Sequence, residues 1–346
     1  MHAVKKAHSI SKRRKYGLTL ALILAIPALF SLELLYGSVS LSLREIVLSI
    51  VGSDTASPQA YSILWESRIP RALTALAGGA GLALAGMLMQ TLFRNPLAGP
   101  SILGISSGAS LAVALLVMGQ GAWAAGIIPS SASVALAAMC GGIGILAFVL
   151  SASVRLGNTN SLLLFGILIG HFVSSIESVL QHRSEAGALR SFVVWGMGRF
   201  SDTDLSISLW MLAAMIAGAI LSGLIANRLN LFLLGETYAA SMGLRLGQFR
   251  WMVVGITGLL AGIITAFCGP IAFIGLAVPH LARMLLGTSN HRVILFPLLL
   301  IGAGIGLFSD LISRYFEIPL NAVTSLIGAP VVISILFQSG KKRSVL

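Results

Sequence analysis

Nine blocks of this 346-residue chain contain no Asp, Glu, Lys or Arg, and the charges between them are sorted by sign. The blocks run from Tyr16 to Leu32, Ile46 to Ser53, Ala72 to Phe93, Asn95 to Val154, Leu156 to Ile176, Leu205 to Asn227, Trp251 to Ala282, Val293 to Ser309 and Ile318 to Gly340. About 20 apolar residues of helix cross a bilayer core, so the pattern predicts an all-α polytopic membrane protein. The stretch from Asn95 to Val154 is too long for one crossing and is interrupted at Gln120, Gly121 and Pro129. The block from Trp251 to Ala282 divides in the same way at Cys268, Gly269 and Pro270. With Ile46–Ser53 too short to cross, the count is ten spans in one transmembrane domain, 1–346.

If the N-terminus is cytoplasmic, the inner segments collect 16 of the 23 Lys and Arg residues, including the opening run Lys5 to Lys15, Arg94, Arg155, Arg228, Arg245, Arg250, Arg283 and Arg292. The outer segments hold Arg44, Arg68, Arg71, Arg183, Arg190, Arg199, Arg314 and every carboxylate except Glu236. Cytoplasmic loops favour basic residues, so both termini (1–16 and 339–346) and the segment 229–247 are assigned to the cytoplasm. The net charge of +12 is then an insertion signal attracted to anionic inner-leaflet lipid, and it argues against nucleic acid as a partner. The basic opening leads into a first span, since no small-x-small cleavage site follows it. Cys140 and Cys268 both fall within spans, where a thiol behaves as a small apolar group, so neither metal ligation nor a disulfide framework is indicated.

The 38 glycines fit a tight helix bundle, because small residues let backbones approach in a membrane. Small-xxx-small spacing recurs at Ala77, Gly81 and Ala85, at Gly258 and Gly262, and at Gly302 and Gly306. Trp65, Trp123, Trp195 and Tyr315 fall near predicted outer ends, while Tyr16, Tyr238 and Trp251 fall near inner ones, as interfacial rings should. Gly99-Pro100 running to Gly104 in the first half is echoed by Gly269-Pro270 running to Gly275 in the second, each opening a span. Five spans per half make such repeats inverted, a common way to build a translocation path.

Few segments suggest chemistry. Gly104 to Gly108 matches G-x-S-x-G, which would make Ser106 a nucleophile with His171 or His280 as base, but the serine elbow needs a strand-to-helix turn and this stretch opens a membrane helix. No Walker A sequence occurs, so any ATP-driven step needs another subunit. Leu229 to Gly243 is apolar yet too short to cross, and it reads as a short helix at the inner surface, offered to a partner or to lipid. Glu236, following Gly235, stands where a helix begins, a favourable place for negative charge. On the outer side, Arg68-Ile-Pro-Arg71 places two cations just before a span, and Arg314 lies near the same surface.

Taken in order, several motifs resemble the FecCD family of ABC importer permeases, which serve iron siderophores, haem and cobalamin. They are Arg68-Ile-Pro-Arg71, Ala85-Gly86 through Gln90, Arg94-Asn95-Pro96-Leu97-Ala98-Gly99-Pro100, Leu103-Gly104 through Gly108, Leu234-Gly235-Glu236, Gly269-Pro270 through Gly275, Pro279-His280 through Arg283, and Ile327-Gly328-Ala329-Pro330. The resemblance covers nearly the whole chain. It implies a type II ABC importer permease: a homodimer of ten-helix subunits in the inner membrane, with its path on the dimer axis, two ATPase subunits carrying ATP and Mg, and an external substrate-binding protein.

The resemblance also assigns Leu234, Gly235, Glu236 and Gly243 to ATPase coupling, and Arg68, Arg71 and Arg314 to docking of carboxylates on the binding protein. Gln90, Asn95, Ser106, Ser107 and His171 are candidate path residues. His171 departs from the family pattern, and haem ligation by one histidine per subunit conflicts with the need to release cargo. The chain itself is expected to hold no cofactor and to catalyse no reaction. A gradient-driven carrier would need ionisable groups deep in the spans, whereas Glu33, Glu177 and Asp310 all lie near predicted outer ends. An intramembrane hydrolase built on Ser106 and a passive channel are the remaining alternatives.

Overall fold

The computed structural model describes residues 2–37, 39–52, 57–119, 130–156 and 159–343. Among them the regular structure is helical: α1 (His2–Leu35), α2 (Leu43–Val51), α3 (Pro58–Ser62), α4 (Ile69–Leu92), α5 (Ile105–Met118), α6 (Ser131–Leu156), α7 (Thr159–Arg183), α8 (Ala186–Gly196), α9 (Leu205–Leu224), α10 (Ala226–Leu233), α11 (Glu236–Ser241), α12 (Leu246–Cys268), α13 (Ile274–Leu286), α14 (His291–Phe316) and α15 (Leu320–Arg343). Six stretches are long and apolar enough to cross a bilayer: Pro58–Leu92 and those in α6, α7, α9, α12 and α14. Four shorter apolar helices, in α1, α5, α13 and α15, bring the described number to the ten expected. The predicted break from Gln120 to Pro129, Trp123 and the last three residues lie outside the described residues.

The block from Ile46 to Ser53 forms α2, which does not span. Its start is a capping box: Ser42 Oγ accepts from the Glu45 N–H, and the Glu45 carboxylate accepts from the Ser42 N–H at 2.8 Å. The Ser42 hydroxyl and N–H hold the Glu45 carboxyl below its ordinary range. Gly52, with φ of 70°, closes the helix in the left-handed region.

One boundary differs from the sequence reading. Arg68 and Arg71 do not precede a span; they lie within a helical stretch that begins at Pro58 and passes through a π turn, Ile63–Arg68. Pro70 has no N–H to give to the preceding turn and its ring crowds the carbonyl four residues back, so the ladder widens there instead of ending. A second difference lies in the segment 229–247, which forms two short helices rather than one. Gly235, with φ of 121°, separates α10 from α11, a conformation a side chain would strain.

Helix α4 is the hub. Its membrane window is 89% buried inside the protein, against 17% for α7 and 22% for α6 and α9. It packs on α14, α9, α12 and α13. The α14 contact is backbone on backbone: a Cβ on Gly79 would strike the Gly302 carbonyl, one on Gly306 the Ala75 carbonyl, and one on Gly302 would lie 2.7 Å from Ala83 Cβ. Gly86 meets Gly275 of α13 in the same way. Of the predicted small-residue stripes, only Gly302 and Gly306 make such a contact. Gly81 faces the Ile264 side chain, Gly258 faces Leu146, and Gly262 faces open space.

The inverted halves appear in the pairing. Helix α5 packs on α6 and α7 as α13 packs on α14 and α15, and α4 crosses to α14 as α12 crosses to α6. The two Gly-Pro echoes enter the corresponding helices α5 and α13. The first does so through a 3₁₀ turn, Pro100–Leu103, that ends at Gly104 with φ of 74°.

Overpacking a close-packed contact costs about 1–3 kcal/mol. Gly306→Val is therefore expected to lower the unfolding midpoint of the detergent-solubilised permease by about 2–4 °C, and Gly262→Val to leave it unlowered. Differential scanning fluorimetry of the two variants checks this, and equal behaviour would remove the backbone contact from the account.

Candidate functional site

Two polar assemblies sit at opposite ends of the bundle, and both are organised around α4 and α14. At the end read as inner from the charges, α10 and α11 cross beneath the helices. Leu229 and Phe232 are buried, with the Phe232 ring 4.8 Å from that of Phe249 on α12, so α10 is anchored by its apolar face. Leu234, Tyr238 and Met242 are exposed, the first at 67%, and they form the surface that the loop offers outward. Glu236 is the first residue of α11, as the sequence predicts, and its carboxylate accepts from Arg250 Nη2 at 2.8 Å. Gly243, with φ of 86°, ends the turn after α11. Arg228, Gly243, Leu244, Arg245, Gln248 and Phe249 line a hollow of about 290 Å³ beside it. Arg94 brings its guanidinium to 3.7 Å from the position a Gly235 Cβ would take, so the turn after α4 rests on Gly235.

At the opposite end, read as outer from the charges, the three predicted docking arginines are gathered into one group. Arg71 holds Asp310 with two parallel bonds, Nε to Oδ2 at 2.6 Å and Nη2 to Oδ1 at 2.9 Å. Arg314, one turn beyond Asp310, pairs with Glu33 of α1 at 2.5 Å and with Asp310 at 3.3 Å. Arg68 is buried, and its guanidinium donates to the backbone carbonyls of Leu34, Leu35 and Val39. Gly37 leaves the room for it, since a Cβ there would lie 2.8 Å from Arg68 Nη2. Arg68 thus caps the C-terminal end of α1, where free carbonyls favour a cation. A cavity of about 490 Å³, lined by Tyr36, Arg68, Arg71, Arg314 and Tyr315 among others, opens over the group.

The five candidate path residues are not brought together. Gln90 is buried between α4 and α13, where its Nε2 donates to the Leu276 carbonyl at 3.0 Å and its Oε1 accepts from Arg283. Asn95 stays within its own turn, its Oδ1 accepting from the Leu97 N–H at 2.9 Å. Ser106 and Ser107 lie half-buried in the first turn of α5, where Ser107 approaches Gly170 of α7. His171 follows on an exposed face of α7 that mixes Ser174, Ser175 and Ser178 with Leu164, Leu168 and Phe172. Ser106 follows a 3₁₀ turn and not a strand, so the nucleophile-elbow context is missing.

Sequence reasoning missed Glu33 and Asp310 as arginine partners, Arg250 as the partner of Glu236, and the hydrogen-bonded trio of half-buried Asn230 with buried Thr91 and His291. The spacing of Asp310 and Arg314, four residues apart on one helix, is the signal that was available. Asn290 before His291 is a second, since it caps α14 by accepting from the Arg292 N–H at 3.0 Å.

Comparisons with known proteins place this architecture. The profile of the FecCD transport family matches residues 22–338. The vitamin B12 import system permease protein BtuC of Escherichia coli O127:H6 is 36% identical over 309 residues, covering 87% of this chain and 91% of that relative. The Salmonella schwarzengrund protein of the same name is 37% identical over 300 residues, covering 84% and 89%. Among solved structures, an inward-facing metal-chelate type ABC transporter is similar at a TM-score of 0.80 and 31% identity, over 93% of this chain and 99% of that one. PsaBC from Streptococcus pneumoniae shares the fold at a TM-score of 0.54 and 15% identity. The chain belongs to the FecCD transport family, and it is a permease subunit of an ABC importer, a multi-pass transport component rather than an enzyme.

Proposed function

We propose that this chain forms, as a homodimer, the path by which cobalamin crosses the inner membrane into the cytoplasm, driven by two separate ATPase subunits and fed by an external binding protein. Both termini and α10–α11 face the cytoplasm. The observation that carries the substrate is the 36% identity, spread over 309 residues, to a permease whose name specifies vitamin B12 import. A ferric chelate is the second reading, favoured by the 31% identity to a metal-chelate type transporter. A gradient-driven carrier finds less support, because Glu33 and Asp310 are held in ion pairs with arginines and not presented to a path.

In this reading Leu234, Gly235, Glu236 and Gly243 shape the surface that the ATPase grips. Arg250 fixes Glu236 at the start of α11, and Leu234, Tyr238 and Met242 supply the apolar contact. The outer arginines work differently from free interfacial cations. Arg71 and Arg314 share Glu33 and Asp310, so a binding-protein carboxylate reaching the cavity competes for guanidinium already in an ion pair. Docking by exchange of ion pairs speeds encounter and sets orientation more than it adds affinity. Arg68 serves that surface by holding the end of α1 in place. The exposed face of α7 carrying His171, together with Ser106 and Ser107 of α5, contributes the path wall, where weak polar contacts let cargo leave.

Proteoliposomes holding the permease with its ATPase and binding protein are expected to accumulate radiolabelled cyanocobalamin only with ATP. Uptake of a ferric siderophore instead moves the assignment to the second reading, and passage without ATP overturns the importer mechanism. Glu236→Arg places two cations together and is expected to reduce ATPase association about tenfold or more, read by co-purification. The association rate of the binding protein is expected to fall as ionic strength rises from about 0.05 to 0.5 M, and a flat profile would sink ion-pair docking.

A further inference from the structure

One hydrogen-bonded group, centred on a buried histidine, belongs to neither surface. His291, the first residue of α14, is 2% exposed. It lies between Asn230 of α10 and Thr91 in the last turn of α4. Asn230 Oδ1 accepts from the His291 backbone N–H at 2.8 Å, and its Nδ2 donates to Asn290 Oδ1 at 2.9 Å. A backbone N–H only donates, so the amide orientation is fixed. The same Oδ1 lies 2.8 Å from His291 Nδ1, which therefore carries a proton. The Thr91 hydroxyl lies 2.8 Å from both His291 Nε2 and the Met87 carbonyl of its own helix, so its one proton is shared between the ring and the preceding turn of α4. One imidazole ties the coupling loop to two membrane helices.

Those two helices are locked together along their length. Running antiparallel, they pair residue 71 with 310, 75 with 306 and 79 with 302, in steps of four on both sides. After Pro297 the register changes by one residue, and 91 pairs with 291. Twenty residues of helix rise about 30 Å, the thickness of the hydrocarbon core. The pair therefore has a polar clamp at each face of the membrane and glycine contacts between them, where neither helix can slide without driving backbone into backbone. The symmetry-related pair α6 and α12 is built otherwise, since Gly258 meets a leucine side chain that can yield.

We propose that α4 and α14 move as one strut, and that His291, with Asn230 and Thr91, is the joint through which displacement of the α10–α11 loop enters it and reaches the Arg71–Asp310 pair at the outer face. Directional bonds to a single ring fix rotation as well as position, and breaking them leaves buried polar atoms without partners, so α10 carries α14 with it. The outer clamp then delivers the movement to α1 through Arg314 and Glu33. His291 is a positioning residue, and this inference rests on the reading of 229–247 as the segment that the ATPase moves.

The test uses the complete reconstituted complex in a background of Cys140→Ser and Cys268→Ala. Spin labels go on Phe316→Cys at the end of α14 and Leu136→Cys on α6, both exposed. Trapping with ATP and vanadate is expected to shift the interlabel distance in this background and in Thr91→Ser. Thr91→Val and His291→Phe are expected to keep ATP hydrolysis, lose the shift, and fall about tenfold in cyanocobalamin transported per ATP. A full shift in Thr91→Val overturns the proposal, and the Thr91 pair decides it even where His291→Phe does not assemble. If the unsubstituted complex shows neither shift nor ATP-driven uptake, the importer reading fails first and takes this inference with it.

Discussion

Backbone contact between α4 and α14 is the constraint around which this bundle is built. Lipid tails are as apolar as leucine, so no hydrophobic gain drives helices together in a membrane, and close approach and polar bonds must do it. Glycine at positions 79, 302 and 306 removes the side chains that would hold the two axes apart. Once they touch, Arg71 reaches Asp310 and Thr91 reaches His291, and α1, α9, α12 and α13 find fixed surfaces to pack on. The deep burial of α4 follows from its being the element every neighbour shares.

What the sequence made legible was whatever depends on local composition. Uncharged length located the ten apolar helices, and the paired Gly-Pro motifs marked the entries to α5 and α13 correctly. Glycine after Leu234 marked the break before α11. What stayed hidden depends on which face a residue presents. The stripe through Ala77, Gly81 and Ala85 has the same spacing as the one through Ala75, Gly79 and Ala83, about half a turn away around the helix, and only partner placement chooses between them. The π turn before Pro70 was hidden for a related reason: proline in sequence signals a helix start as readily as an interrupted ladder.

The arginines carry the same lesson. A cation near the end of a span is consistent with snorkelling, docking or pairing, and spacing alone does not choose. Arg71 takes its carboxylate from a residue 239 positions away, and Arg314 takes one 281 positions away. Such buried pairs recover their desolvation only when geometry is good and remaining donors are used. The two-bond Arg71–Asp310 arrangement meets that condition, and Arg68 meets it differently, by spending its donors on the carbonyls that α1 leaves free. That end of the bundle is consequently ordered by pairs within the chain itself.

An inverted repeat would be expected to give two equivalent frames, yet the halves share packing partners and differ in how those partners are fastened. The α4–α14 pair is joined by glycine contacts and by directional bonds at both ends; α6 meets α12 through yielding side chains. The helices with the most exposed membrane windows, α6, α7 and α9, carry the apolar and hydroxyl faces, whereas α12 and α14 are more than half buried. A transporter needs one part that keeps its shape while force passes through it and another whose surface tolerates a changing neighbour. Division of the bundle into a fastened pair and a softer face supplies both from one fold, and it accounts for the polar bonds of α4 and α14 gathering at the ends of the pair, with glycine contacts between them.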